Sequence, residues 1–152
     1  MIRDQIKAEL VKSMKEKNEA RTATIRLINA SIKDKDIEAR PKGILNGIDD
    51  TAILSLLQNM IKQRRESIEM YKQGNRMDLV EKEQAEVDII SEFLPEQMSA
   101  EEMESKIRDV IAETGATSIK DMGKVMGALK AKYAGVMDFA VASGIIKKVL
   151  NG

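Results

Sequence analysis

Carboxylates are the only plentiful acid–base groups in this chain. Glu83 and Glu86, and Asp88 and Glu92, stand three and four positions apart, so on a helix each pair shares a face. Paired carboxylates do acid–base work when one of them is buried. These pairs fall in the stretch 77–95, which has six acidic residues and one basic one, and the stretch reads as a solvated face. The 152 residues include no His and no Cys. Their absence removes the commonest general base, the commonest metal ligand, the Ser-His-Asp arrangement, thiol nucleophiles, disulfides and thiolate zinc sites. Ser13 and Ser67 have only Lys or Glu beside them as a base. The expectation is therefore no catalytic residue, no metal and no cofactor.

Cations carry the stronger signal, although Lys plus Arg and Asp plus Glu both total 25 and the net charge is zero. That balance excludes a chain that is basic throughout, and 3% aromatics without Trp exclude a platform of rings for stacking bases. The balance hides local asymmetry. Residues 51–76 hold five basic and two acidic side chains, the reverse of 77–95, so rim pairing between two successive helices is expected. Residues 96–113 hold two basic and six acidic side chains, whereas 114–152 hold six basic and two acidic. All six late cations are Lys, which suits backbone phosphate as a point charge. A solvated helix face is the alternative. Lys124, Lys130, Lys132, Lys147 and Lys148 are the candidate nucleic-acid contacts.

Gly123 and Gly127, four apart in Met122-Gly123-Lys124-Val125-Met126-Gly127, lack the flanking strand and the Gly-Lys-Ser/Thr ending of a phosphate loop. Two glycines in a helix interior cost about 1 kcal/mol each, which implies close approach either of a neighbouring helix or of a nucleic-acid backbone.

Helical spacing must position all of these groups. Strand patterns are missing, and only two prolines occur, Pro41 and Pro95. Ile2, Ile6, Leu10 and Met14 mark a first amphipathic helix. A second runs over 19–39, with Ile25, Ile28 and Ile32 inward, Asn18 as its N-cap and Arg40-Pro41-Lys42-Gly43 as its stop. After a loop at 46–50, a long helix carries Ile53, Leu57, Met60, Ile61, Ile68 and Tyr71, with Gly74 placed to end it in the left-handed conformation. Asn75 caps the next helix, and Pro95 closes it. Ser99 and Glu102 fit a capping box for a short helix that ends at Gly115. Two more helices follow, one with Met122, Val125, Met126, Leu129 and Tyr133 inward and ended by Gly135, and one from about Asp138. The expected fold is all-α. A larger four-helix N-terminal bundle spans 1–95, and a small three-helix C-terminal bundle spans 96–152. No run of about 18 apolar residues occurs and the chain is charged from its third residue, so no membrane span, no secretory signal and a cytoplasmic protein are expected.

Several segments together resemble a known family. They are Thr24-Ile25-Arg26-Leu27-Ile28, Lys62-Gln63-Arg64-Arg65-Glu66-Ser67, then Tyr71, Gly74, Asp78-Leu79 and Glu83, then Phe93-Leu94-Pro95-Glu96-Gln97-Met98-Ser99 and Met122-Gly123-Lys124-Val125-Met126. In this order they resemble the YqeY-like family, which is similar to the C-terminal tail domain of the B subunit of the glutamyl/aspartyl-tRNA amidotransferase. The resemblance covers essentially the whole chain. It implies a two-part helical protein that binds tRNA without catalysing a reaction, since the tail domain helps hold the tRNA body. A carbon–nitrogen ligase label with glutamine as amido donor would be inherited from the larger enzyme. Lys124 lies on the matching Met-Gly-Lys-Val-Met segment. Where the family has an Arg before the Asp, this chain reads Val136-Met137-Asp138, which weakens nucleic-acid contact at that turn and offers two apolar groups to a neighbouring element or a partner. The alternative function is a protein-interaction adaptor for a tRNA-charging or amidotransferase component. Ten Met residues would suit its adaptable surface.

Overall fold

Local capping chemistry sets the element boundaries. Asn18 cannot continue the preceding helix and instead accepts a bond from the Arg21 amide with its side-chain oxygen, at 3.2 Å, opening α2. Asp49 does the same for Ala52 at 2.9 Å, and Ser99 for Glu102 at 3.2 Å. The resulting computed structural model describes residues 1–151. It contains α1 (Ile2–Lys15), α2 (Glu19–Ala39), α3 (Asp50–Gln73), α4 (Met77–Ser91), α5 (Ala100–Thr114), α6 (Met122–Tyr133) and α7 (Phe139–Asn151), and no strand among the described residues. Short 3-10 turns precede Gly43 and Met122.

The chain divides into two compact units, Met1–Leu94 and the part from Pro95 onward. In the first, Ile6, Ile25, Ile28, Ile53, Leu57 and Ile90 are fully buried at the centre of one apolar cluster. In the second, Ile107, Val125, Leu129, Met137, Ala142 and Ile146 are fully buried in another. Met137 is thus a core residue of the second unit, which accounts for one of the two apolar groups at the Val136-Met137 turn.

Four local expectations are corrected. Met14 is exposed, and the inward position of that helical turn belongs to Ser13, whose hydroxyl lies 2.8 Å from that of Thr22. A buried hydroxyl is tolerated there because it finds a partner. Gly74 has φ −87°, and Asn75 takes the left-handed conformation at φ 55°. Asn tolerates that region better than other side-chain-bearing residues, so the turn sits one residue later. In consequence Arg76, not Asn75, occupies the N-cap position of α4, without a side-chain cap. Finally, α4 ends at Ser91, four residues before Pro95.

A candidate nucleic-acid interface

The second unit positions the five candidate lysines on α6 and α7. Val125 and Leu129 anchor α6 in the apolar cluster, and Ala142 and Ile146 anchor α7. The 3.6-residue repeat then turns Lys124, Lys130 and Lys132 of α6, and Lys147 and Lys148 of α7, to solvent, and all five are exposed. Neither helix contains an acidic residue. The nearby carboxylates, Asp121 and Asp138, sit just before the helix starts and are bonded to backbone amides. Asp121 accepts from Thr117 and Ser118 at 3.0 and 3.4 Å, and Asp138 from Ala140 and Val141 at 3.0 and 3.3 Å. The Thr117 and Ser118 amides hold the Asp121 carboxyl below the usual carboxylate range.

The five lysines are not equivalent. Lys124 donates its ammonium to the carbonyl of Thr114, at the C-terminal end of α5, at 3.0 Å. Lys132 is ion-paired with Glu113, which raises its pKa above that of an ordinary lysine. Both therefore fasten α6 to α5, although their ammonium groups stay exposed. Lys130, Lys147 and Lys148 have no bonding partner among the described residues.

Gly123 and Gly127 are exposed, and a Cβ at either would meet nothing within 4 Å. Among the described residues no helix packs on them, which corrects the neighbouring-helix expectation. Helical spacing places both glycines between Lys124 and Lys130 on one face of α6, so that face has bare backbone between cations. On α7, Gly144 sits level with Lys147 and Lys148 in the same way, also with open space around it.

In the first unit the acidic and basic helices α3 and α4 meet through one strong pair. Arg64 donates to Glu86 at 2.9 Å, with both side chains 16% exposed. Arg76 pairs with Asp78 inside the turn, and Lys72 with Glu69 on α3 itself. Rim pairing is thus narrower than the opposed charges of the two segments predict. Of the carboxylate pairs, Glu86 is held by Arg64, Glu92 by Arg21, and Asp88 accepts from Gln84 at 2.9 Å, so each supports structure. Sequence spacing gave no hint of the clasp at residue 36. Arg3 donates twice to Asp36, at 2.8 and 3.0 Å, and once to the Ile48 carbonyl at 3.1 Å, while the Ile48 amide donates back to Asp36 at 2.8 Å. Among the described residues no cluster of His, Cys, Asp or Glu is arranged to hold a metal ion, and no helix is long and apolar enough to cross a membrane.

Comparison with known proteins bears on the family of the chain. The description "Yqey-like protein" matches residues 3–150. Curated relatives include proteins named Altered inheritance of mitochondria protein 41, mitochondrial. That of Lachancea thermotolerans is 36% identical over 110 residues, 71% of this chain and 57% of the relative. That of Pyrenophora tritici-repentis is 31% identical over 133 residues, 84% and 71% of the two chains. That of Eremothecium gossypii is 33% identical over 114 residues, 74% and 60%. The chain spans less than two thirds of the length of the first and third of these relatives. Those relatives are named as mitochondrial proteins, a finding that overturns the cytoplasmic expectation. Composition and the lack of a long apolar run carry no information about which compartment a protein enters, which is why the sequence misled here. With a match over nearly its whole length, the chain belongs to the YqeY-like protein family.

Proposed function

We propose that this chain is a non-catalytic tRNA-binding module that holds the RNA backbone through lysines of α6 and α7, in the manner implied by its likeness to the amidotransferase tail domain. One observation carries this reading: the two helices present five lysines and no carboxylate, and the other exposed positions up to Lys148 are Gly, Ala or Val. On the two helices themselves a polyanion meets no like charge and no bulky exposed side chain, and the Glu113 carboxylate at their edge is paired with Lys132. Lys130, Lys147 and Lys148 make the main phosphate contacts, since their ammonium groups have no competing partner. Lys124 and Lys132 contribute charge while bracing α6. The two units act as separately folded bundles, with the RNA contact confined to the second.

Binding of bulk tRNA across a salt series tests this. Log affinity falls linearly with log salt, and the triple variant Lys130→Ala, Lys147→Ala, Lys148→Ala has a slope shallower by roughly two to three. No binding at low salt, or an unchanged slope in the variant, overturns the reading. A second reading, an adaptor for a component of tRNA charging or tRNA-dependent amidation, is favoured by a different observation, the apolar side chains left exposed on α1 and α2.

A further inference from the structure

The outer seam between α1 and α2 has the chemistry of a docking groove. Two contacts fix how these antiparallel helices are aligned. Arg3 meets Asp36 at one end, and the Arg26 guanidinium donates to the Met14 sulfur at 3.5 Å near the other. Lys7 on α1 and Lys33 on α2 lie toward the Arg3–Asp36 end of the pair, and Met14 and Arg26 toward the other. Lys7, Val11 and Met14 follow one another at helical spacing on α1, and Arg26, Ala30 and Lys33 do so on α2. All six are exposed, Val11 and Met14 by 46% and 45%.

The seam therefore has an apolar middle with cations at both ends. Lys7, Lys33 and Arg26 have no ion-pair partner among the described residues. Neighbouring Arg3 and Arg21 on the same two helices are both paired. At the Met14 end the surface dips into a shallow hollow bordered also by Lys17, Glu19, Thr22 and Ala23, where the two cations Lys17 and Arg26 outnumber the one carboxylate. Small residues at 23 and 30 leave room for a backbone to come close.

We propose that this seam binds an acidic amphipathic helix of a partner protein, its aliphatic stripe seated on Val11, Met14 and Ala30 and its carboxylates reaching Lys7, Lys33 and Arg26. Charge complementarity selects the partner: three unpaired cations around an apolar strip match acidic flanks around an aliphatic stripe. A nucleic acid would use the cations and leave the apolar middle without a partner. The site lies wholly in the first unit and does not depend on the lysines of α6 and α7, so the two proposals fail independently.

The test uses the whole chain and a labelled synthetic helical peptide with Leu at every third or fourth position and Glu on both flanks. Binding is read by fluorescence anisotropy and mapped by amide chemical shifts. The acidic peptide binds, with shifts centred on α1 and α2. The variant Lys7→Glu, Lys33→Glu weakens it roughly tenfold, and Val11→Asp weakens it separately. These positions are exposed, so circular dichroism should show unchanged helicity. Any of three results overturns the proposal: no binding of the acidic peptide, equal binding of a control peptide with Lys in place of Glu, or affinity unchanged by the charge reversal. Shifts at α1 and α2 produced by phosphatidylglycerol vesicles or by tRNA, without the peptide producing them, assign the seam to those ligands instead.

Discussion

Arg3, Arg21 and Arg64 each tie separate elements of the first unit together, whereas the second unit has a single arginine, Arg108, paired with Glu104 inside its own helix. Arg21 reaches Glu9 on α1 and Glu92 at the end of α4, so one guanidinium joins three helices. Among the described residues of the second unit one ion pair crosses between helices, Lys132 with Glu113, and both partners are about half exposed. The difference follows from side-chain chemistry. A planar guanidinium fork bonds two acceptors at fixed angles and suits an internal tie, while the flexible, strongly hydrated lysine ammonium gains little from one. The lesson is that equal charge totals conceal two uses of cations, holding helices together and facing outward.

Core truncation should separate the two units most sharply. Leu57→Ala in the first unit and Leu129→Ala in the second each remove a fully buried side chain, at an expected cost of about 2–5 kcal/mol. In chemical denaturation followed by amide chemical shifts, each change should lower the midpoint of its own unit and leave the other in place. Joint loss of both units from either substitution would break the comparison and the proposal of separate bundles with it.

Next in size is the Arg3–Asp36 clasp. Asp36→Ala leaves Arg3 and the Ile48 amide without their acceptor and should destabilise the first unit by about 1–2 kcal/mol. The hydrogen bond from Arg3 holds the Asp36 carboxyl below the usual carboxylate range. A lowered folded-state pKa means that the stabilisation is present above the unfolded value, near 3.9, and is lost as pH falls through the folded one. Urea midpoints measured from pH 7 down to pH 3 should therefore drop further in the native first unit than in Asp36→Ala. Equal slopes would show that the clasp is not an electrostatic tie.

The smallest effects lie at glycines, and here the sign differs between units. Gly47 has φ +91°, and a Cβ would come within 2.8 Å of the Arg3 guanidinium, so Gly47→Ala should lower the first unit's melting temperature. Gly127 is helical and open, so Gly127→Ala should raise that of the second by the equivalent of up to about 1 kcal/mol. A gain in stability together with weaker tRNA binding would sharpen the comparison, since it would mark Gly127 as kept for a ligand's approach.

Much of the fold was legible because its signals are local. Asn18 and Ser99 announce helix starts within four residues, and the isoleucine spacing of α2 names its inner face. The left-handed turn was misplaced because Gly74 and Asn75 both tolerate positive φ, and only the packing of α3 on α4 decides between them. The Met14 error has a similar cause: Ser13 is buried only because Thr22, nine residues away, supplies its partner. The lysines of the candidate interface were legible as charge. Their division into braced and unpaired members was not, since the partners Thr114 and Glu113 lie ten and nineteen positions away. The Arg3–Asp36 clasp, 33 residues apart, left no mark in spacing at all.

That clasp also bears on how the first unit comes apart. Arg3 can reach the Ile48 carbonyl only after α1, α2 and the loop through Gly47 have all found their places, closing a long stretch of chain. Loop-closure entropy must be met before contacts with such separations reward it, so the clasp is expected to form after the transition state. A contact absent from the transition state shows itself in the unfolding rate and hardly at all in the folding rate. The clasp is then a latch in the kinetic sense, governing how often α1 lifts from the first unit once it has folded.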